Sequence, residues 1–311
     1  MNYIPIHIKT IWPNSQIPFS VFIFFKQQYV HYVGPGADLA AEKLKKLKKQ
    51  KIAKFFIQTD DEAKYQNYLD DILNQKISKS DLKSEEKVDL IQGAAHSALD
   101  SLSSNPMNQA SFKMGQTVSR KIQELFLNDP NSLKELYGKS QDADSIIQHS
   151  TNVCALAVKL ANEVKLPKTE LDNLATAALI HDVGITSLNE ETKAFFHRSK
   201  SELSLTQKND YFKHCSNIVS LLRDRPYINQ EVLDLIQYHE ESRAGDGPYK
   251  KVKLSQSEEI LGLVNLFDKK RIELKKPLPD ICKSMILDDV GRYDLGLMQS
   301  LQKILKNEKL I

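Results

Sequence analysis

The sequence is poor in features that would assign it to a class at once. It has three cysteines, Cys154, Cys215 and Cys282, and no CxxC pair of the kind that binds zinc or cycles between thiol and disulfide. The formal net charge of +3 is too small to indicate a nucleic-acid or membrane partner, and we expect neither. The odd number of cysteines favours free, mostly buried thiols in a reducing compartment.

Long apolar runs are also missing. The apolar stretch at residues 19–25 is far shorter than the roughly 20 residues of a membrane-spanning helix. The N-terminus has no basic segment followed by a long apolar one, so the pattern predicts no signal peptide. Together with the free thiols, these absences predict a cytoplasmic protein.

The distribution of strand and helix patterns divides the chain into three regions. Residues 1–78 alternate β-branched and aromatic runs with helical periodicity, which predicts a small α/β domain of regulatory type. Residues 79–138 carry two helical patterns and are predicted to be a helical connector. Residues 139–311 show helical periodicity alone. The predicted fold is therefore mainly α, with an all-helical domain preceded by a small α/β domain.

One dipeptide, His181-Asp182, closes a helical pattern in which Leu174 and Ala178 lie on the apolar stripe. Asp182 comes four residues after Ala178, so the pattern turns its carboxylate towards the core. Burying a carboxylate costs several kcal/mol unless it is paired or bound to a metal. A capped or hydrogen-bonded His-Asp pair is the ordinary alternative.

Other helical patterns also turn a metal-competent side chain towards their apolar side. These residues are His149, His214, His239, Asn265 and Asp268. Each histidine alone is explained by a hydrogen bond in the core. A shared metal centre explains the whole set together.

The ligand types restrict the metal. Imidazole with carboxylate and without thiolate suits iron, manganese, cobalt or zinc. Cys215 follows His214 directly and is expected to point to a different side of the helix, into the core. Asp182 has two oxygens and can bridge two ions, an arrangement that activates water and holds a phosphodiester oxygen.

The ordered series of these segments, from about residue 141 to 311, resembles the HD-GYP family of metal-dependent phosphohydrolases. The similar segments are residues 149–153, His181-Asp182-Val183-Gly184-Ile185 for HDxGK, Leu205-Thr206 leading to His214, Tyr238-His239-Glu240 for HHE, Gly245-Asp246-Gly247-Pro248-Tyr249 for the Gly-Tyr-Pro loop, Val264-Asn265-Leu266-Phe267-Asp268 for ADxFDA, and residues 291–294. The resemblance implies an all-helical domain, a centre of two or three metals that often contains iron, and hydrolysis of cyclic di-GMP.

The chain departs from the family pattern at several positions. The family's arginine after the first histidine is Asn152, and the lysine of HDxGK is Ile185. The first histidine of HHE is Tyr238, and the last metal aspartate aligns with Asn265. Tyrosine and proline are exchanged in the loop that ends at Tyr249. These changes predict one ion with fewer protein ligands, and weakened catalysis.

The resemblance assigns a role to each candidate residue. The metal ligands are His149, His181, Asp182, His214, His239 and Asn265, with Asp268 as an alternate ligand or a support. His181 and Asp182 are also the catalytic residues. Because Ile185 cannot contact phosphate, and not because of the resemblance, the cations Lys200, Arg243 and Lys250 are the candidates for that contact. The implied cofactors are two transition-metal ions, iron in the first place, with manganese as the alternative.

Three functions remain open on the sequence. The first is a metal-dependent phosphodiesterase of cyclic di-GMP signalling with weak activity. The second is a catalytically impaired cyclic di-GMP receptor or signalling scaffold. The third is a hydrolase of another phosphoester. The expected partners are cyclic di-GMP or a related cyclic dinucleotide, a signalling protein bound through the Gly-Tyr-Pro-like loop, and a second copy of the chain.

Overall fold

A computed structural model describes residues 2–79, 82–138 and 145–311. The chain divides into two compact units, residues 1–121 and residues 122–311. The three regions drawn from the sequence stay a prediction. The predicted start of the third region, residue 139, lies outside the described residues.

The first unit contains a four-stranded antiparallel sheet followed by helices. The strands are β1 (Tyr3–His7), β2 (Val21–Phe25), β3 (Gln28–Val33) and β4 (Lys54–Gln58), in the order β1-β4-β2-β3. Phe55 and Ile57 of β4 are fully buried and alternate with more exposed neighbours, as expected for a strand with one face on the core. The helices that begin in this unit are α1 (Ala41–Lys49), α2 (Glu62–Ile77), α3 (Ser84–Ser104) and α4 (Gln109–Asn128).

The second unit is helical in all but short segments of its described residues. Its helices are α5 (Ser132–Gly138), α6 (Ile146–Glu163), α7 (Lys168–Ile180), α8 (Glu190–Lys193), α9 (Leu205–Leu222), α10 (Gln230–Tyr238), α11 (Gln256–Leu274), α12 (Leu278–Asp288) and α13 (Leu295–Asn307). The predicted fold class, mainly α with a small α/β part before it, is confirmed. No helix in the described ranges is both long and apolar enough to cross a membrane.

Helix α6 is the centre of the second unit, where α7, α11 and α13 pack against it. Its residues are buried on nearly every side, and Val153, Leu156 and Leu160 are fully inaccessible. Each such side chain stabilises the fold by about 1.5–3 kcal/mol. Because α6 has almost no solvent face, its polar residues also lie in the interior.

A short 3-10 turn, Val183–Ser187, follows α7 and packs against α9. The approach is close at Gly184, where a β-carbon would overlap the backbone carbonyl of His214. Glycine is therefore required here for contact between the two segments. This contact brings the residues that follow α7 against the middle of α9.

Candidate metal centre

Four histidine rings converge on the carboxylate of Asp182. His149 lies in the first turn of α6, His181 directly after α7, His214 on α9 and His239 directly after α10. All five side chains are fully buried. The structure thus brings together five of the residues that the sequence assigns to one site.

The four rings form two pairs, one on each carboxylate oxygen. From Asp182 Oδ2, the Nε2 atoms of His149 and His181 lie at 3.4 and 3.5 Å. From Oδ1, the Nε2 atoms of His214 and His239 lie at 3.3 and 3.4 Å. The two Nε2 atoms are 3.3 Å apart in the first pair and 3.1 Å apart in the second.

The other ring nitrogen of each histidine fixes its tautomer. Three Nδ1 atoms face backbone carbonyls of the preceding turn: His181 to Ala178 at 2.8 Å, His214 to Tyr211 at 2.6 Å and His239 to Ile236 at 2.7 Å. A carbonyl only accepts, so Nδ1 carries the hydrogen and donates. The Nε2 lone pair of the neutral ring is therefore directed into the site.

The residues present fit two metal ions. The Nε2 lone pairs and the carboxylate oxygens all accept, and within the described ranges both buried oxygens of Asp182 are without a hydrogen-bond partner. A tetrahedral ion about 2.0–2.1 Å from nitrogen and oxygen ligands leaves about 3.3 Å between them. The distances from the histidine Nε2 atoms to the Asp182 oxygens, 3.3–3.5 Å, match that value at both oxygens. The C-terminal ends of α7 and α10, which precede His181 and His239, also favour positive charge here.

Asn265 of α11 adds an oxygen donor beside the pair formed by His149 and His181. Its Oδ1 lies 3.0 Å from His149 Nε2, and its side chain is buried. Both atoms accept when Nδ1 of the ring carries the hydrogen, so their closeness suits a common cation. One donor set is therefore His149, His181, Asp182 Oδ2 and Asn265. The second includes His214, His239 and Asp182 Oδ1.

Asp268 lies behind His149 rather than among the donors. Its Oδ2 accepts from His149 Nδ1 at 2.8 Å, and its Oδ1 accepts from Asn152 at 3.0 Å and from Arg271 Nε at 2.9 Å. Burial alone raises the pKa of this carboxyl, but the hydrogen bond from His149 and the charge of Arg271 hold it well below its usual range. Of its two predicted roles, this geometry favours orienting His149 over binding metal.

The structure also gives Asn152 a place that the sequence did not reveal. Its amide donates to Asp268 and accepts from Gln148 at 2.8 Å. The residue that replaces the family's arginine therefore belongs to the hydrogen-bond network that orients His149.

Lys269 is a buried cation of the site that sequence reasoning missed. Its Nζ lies 3.5 Å from Asp182 Oδ2, donates to the Tyr211 hydroxyl at 3.0 Å, and lies 3.3 Å from the ring centre of Phe196. The sequence held a signal, because Lys269 comes four residues after Asn265 and shares its helix face.

These charges determine the ionisation of the centre. Burial alone raises the pKa of Asp182, but the positive charge of Lys269 holds it well below its usual range. Burial lowers the pKa of His149 to about 4, so its ring is neutral at pH 7. A neutral imidazole and an ionised carboxylate are the forms that bind metal.

Two positions that depart from the pattern of the resemblance, Ile185 and Tyr238, are packed against other side chains. Ile185 is fully buried in a core cluster that includes Phe196 and Tyr211. The ring of Tyr238 packs edge-on against Tyr249, with a centroid distance of 5.5 Å, and the ammonium of Lys251 lies 4.1 Å from its centre.

The expectation for Cys215 was wrong. Its Sγ lies 3.4 Å from His214 Nε2 and is fully buried, so the thiol faces the site instead of the apolar core. Adjacent residues on α9 have divergent Cβ directions, but the Cβ–Sγ bond of Cys215 brings its sulfur close to the His214 ring. Burial, together with the charges of Glu240 and Asp182, raises the pKa of the thiol well above its usual value.

The three candidate phosphate contacts lie in different surroundings. Lys200 forms an ion pair with the buried Glu240, the residue after His239. Arg243 is held by Glu259 and Asp294, at 2.8 and 3.3 Å. Lys250 is exposed, in the loop after α10. Of the three, Lys200 is paired with Glu240, which directly follows the candidate ligand His239.

The loop similar to the Gly-Tyr-Pro segment is held by a buried carboxylate. Glu241 accepts from the backbone N–H groups of Tyr249 at 2.6 Å and Lys251 at 2.9 Å. A β-carbon at Gly247 would overlap this carboxylate, so glycine allows the loop to fold over it. The loop conformation is thereby fixed next to the histidine pair of α9 and α10.

Known proteins resemble this chain in sequence and in fold. Residues 136–278 match the HD domain family HD_5. Over 148 residues the chain is 26% identical to a cyclic di-GMP phosphodiesterase of Pseudomonas aeruginosa, a match that covers 43% of this chain and 34% of that protein. The chain thus spans about a third of the length of this curated relative. A solved HDG"Y"P protein of Bdellovibrio bacteriovorus is similar at a TM-score of 0.77 and 23% identity, over 98% of this chain and 100% of that one.

Proposed function

Because the chain carries an HD domain of the HD-GYP type, a hydrolase superfamily, we propose that it is a metal-dependent phosphodiesterase of cyclic di-GMP. The observation that carries the proposal is the symmetry of Asp182. Each of its oxygens faces one pair of histidine Nε2 atoms within 3.3–3.5 Å, and neither oxygen has a hydrogen-bond partner in the part of the chain that the structure describes. This is the donor arrangement of a carboxylate that bridges two ions.

The proposed ions are iron, with manganese as the alternative, and imidazole with carboxylate suits both. When bound, two such ions supply an activated water and neutralise the charge of a phosphodiester. The protein's part is orientation. The three backbone carbonyls and Asp268 fix each ring with Nε2 inward, and all four rings lie in the protein interior.

The substrate class follows from the relative in Pseudomonas aeruginosa, which is a cyclic di-GMP phosphodiesterase. Lys200 is the proposed phosphate contact. Its side chain is one-third exposed, so a ligand can reach it, and its ammonium forms an ion pair with Glu240, the residue after His239. Arg243 and Lys250 are proposed to contact the nucleotide from the loop. Arg243 would have to exchange its contacts with Glu259 and Asp294 to do so.

A second candidate function is a cyclic di-GMP receptor or scaffold with little turnover. Ile185 favours it, because this apolar side chain is buried where the resemblance implies a lysine. A receptor needs affinity for the ground state, whereas turnover needs groups that stabilise the transition state. Hydrolysis of another phosphoester is the third candidate.

The state of the cysteines bears on the compartment in which the protein is found. The three cysteines are buried and free of disulfides in the described part of the chain, as a reducing compartment leaves them. We therefore place the protein in the cytoplasm. The loop held by Glu241 is the proposed contact for a signalling protein.

The test combines metal content with turnover. Protein purified without chelator is expected to hold two transition-metal ions per chain by elemental analysis and to convert cyclic di-GMP to a linear product. Asp182→Ala is expected to lose both ions together, because the bridge serves both. Asp210→Ala is the matched control, since Asp210 pairs with Lys213 on the surface of α9.

Each outcome separates the candidates. One ion or none per chain in the unaltered protein would exclude the binuclear centre. If the protein holds two ions and binds cyclic di-GMP by calorimetry but forms no product, the receptor function would be favoured over the phosphodiesterase function. Two ions without binding would favour the other phosphoester.

A further inference from the structure

The two donor sets differ in the number of oxygen and nitrogen ligands. The first set has four, because Asn265 Oδ1 lies 3.0 Å from His149 Nε2. The second has three: His214, His239 and Asp182 Oδ1. Tyr238, which stands where the resemblance implies a further histidine, turns its ring towards Tyr249. The second set is therefore one ligand short.

The Cys215 thiol occupies the space beside the second set. Its Sγ is 3.4 Å from His214 Nε2, and the donor atoms of Cys215, His214 and His239 all lie within 4.8 Å of one another. All three side chains are fully buried. Asp182 Oδ1 lies 3.3 Å from His214 Nε2 and 3.4 Å from His239 Nε2, and this buried acceptor has no hydrogen-bond partner among the described residues.

We propose that the Cys215 thiolate is the fourth protein ligand of the ion held by His214, His239 and Asp182. The inference rests on the proposed binuclear centre and adds a residue to it. In the metal-free protein the S–H donates to the Nε2 lone pair of His214. A thiolate that holds the ion would have to give up this proton, so metal binding would release it to solvent.

The distances suit this exchange. Ligands at about 2.0–2.1 Å for nitrogen and about 2.3 Å for sulfur lie about 3.5 Å apart around a tetrahedral ion. The observed Sγ to Nε2 distance is 3.4 Å. Cys154 provides the contrast, since its equally buried Sγ donates to the backbone carbonyl of Ala175 at 3.3 Å. Cys154 is a core thiol, whereas Cys215 faces an imidazole lone pair.

The consequence is a chemical difference between the two ions. The first set offers two nitrogens and two oxygens, while the second offers two nitrogens, one oxygen and one soft sulfur. Thiolate favours zinc, cobalt or ferrous iron over harder ions such as manganese or magnesium. The second position is therefore expected to discriminate against manganese more strongly than the first.

Cobalt titration tests the inference with a spectroscopic signal. Protein stripped of metal is titrated with Co²⁺ under anaerobic conditions, and bound Co²⁺ is counted by elemental analysis. A thiolate ligand gives an intense sulfur-to-cobalt charge-transfer band in the near ultraviolet, which imidazole and carboxylate do not. We expect this band in the unaltered protein, with one extra proton released per chain on metal binding.

Three variants assign the band to one sulfur. Cys215→Ser is expected to lose the band and to bind one of the two Co²⁺ equivalents at least about tenfold more weakly. The double variant Cys154→Ser/Cys282→Ser, which keeps Cys215 as the single cysteine, is expected to retain both band and affinity. Cys215→Ala is the second variant if serine disturbs the fold, which circular dichroism would reveal.

The failures of the inference and of the proposed function are distinct. Two bound Co²⁺ without a charge-transfer band in the unaltered protein would overturn the inference and leave the binuclear centre in place. The same holds for a band that persists in folded Cys215→Ser. Absence of any tight Co²⁺ binding would overturn the proposed centre itself.

Discussion

The ammonium of Lys269 lies 3.5 Å from Oδ2 of Asp182, the same oxygen that faces His149 and His181. Both side chains are almost completely buried, and the Lys269 ammonium also contacts Tyr211 and Phe196. Burial lowers the pKa of Lys269, and the charge of Asp182 opposes this shift. Without metal, this lysine is the nearest full positive charge that the described residues give to Asp182. It is placed where a metal ion would compete with it.

Replacing Lys269 should therefore make the protein depend on metal. Lys269→Met leaves the Asp182 carboxylate buried without its ammonium, which is expected to destabilise the metal-free protein by about 3 kcal/mol. Metal affinity should rise by about tenfold, because the ion no longer competes with the lysine at Oδ2. Thermal unfolding with and without Mn²⁺, and calorimetry, measure the two effects.

Lys270→Met is the matched control for this change. Lys270 is the next residue on α11, but its Nζ pairs with Asp289 at 2.8 Å, away from the site. It should leave metal affinity unchanged. Weaker metal binding by Lys269→Met would contradict the competition and would show that the lysine supports the loaded site.

Asp268 should control one ion and not the other. Asp268→Asn removes the charge that accepts from His149 Nδ1 and holds Arg271, so the tautomer of His149 is no longer fixed. We expect the affinity for the ion on that side to fall by about 10–100-fold while the second ion stays bound. Metal content should drop from two ions to one after dialysis. Loss of both ions, with a native circular dichroism spectrum, would contradict the separate roles.

Asn265→Asp is expected to act in the opposite direction on the same ion. The substitution puts a charged oxygen 3.0 Å from His149 Nε2, where the amide oxygen now lies. A carboxylate is the stronger ligand, so affinity for this ion should rise. Unchanged affinity would show that residue 265 is not a ligand.

Helical periodicity was sufficient to predict that His149, His214 and His239 turn inward, and the structure buries all three side chains. Periodicity could not predict whether a neighbouring side chain contacts Nδ1 or Nε2 of a histidine ring. Asp268 was left with two roles for this reason, and its place at Nδ1 depends on how α6 and α11 pack. Cys215 was misjudged because adjacency in a helix predicts divergent Cβ directions, while the bond from Cβ to Sγ brings the sulfur back to the ring.

Tyr238→His should reveal whether the second ion lacks a ligand. In the unaltered background the change should have little effect on metal affinity, since Cys215 is proposed to fill the position. In the Cys215→Ser background, the added imidazole should restore at least part of the lost affinity for the second ion. Tyr238→Phe, which keeps the packing against Tyr249 and offers no ligand, is the control. A gain from Tyr238→His in the unaltered background alone would contradict the proposed thiolate.

The last prediction concerns the lysine that the resemblance implies at position 185. Ile185 shares its buried cluster with Phe196 and Tyr211, and these two residues also contact the Lys269 ammonium. Ile185→Lys alone would place two ammonium groups near one another without water, so it should destabilise the fold. The double variant Ile185→Lys/Lys269→Met keeps the number of charges and moves one of them to the family position.

We expect the unaltered protein to bind cyclic di-GMP and to hydrolyse it slowly, below about 1 s⁻¹. The double variant should raise kcat more than it lowers KM, because a cation at the phosphate acts mainly on charge that develops in the transition state. Ile185→Met/Lys269→Met, which moves no charge to position 185, should give no such gain. Fast hydrolysis by the unaltered protein would show that Lys269 or Lys200 already supplies what the missing lysine provides, and equal rates for the two double variants would show that position 185 does not reach the phosphate.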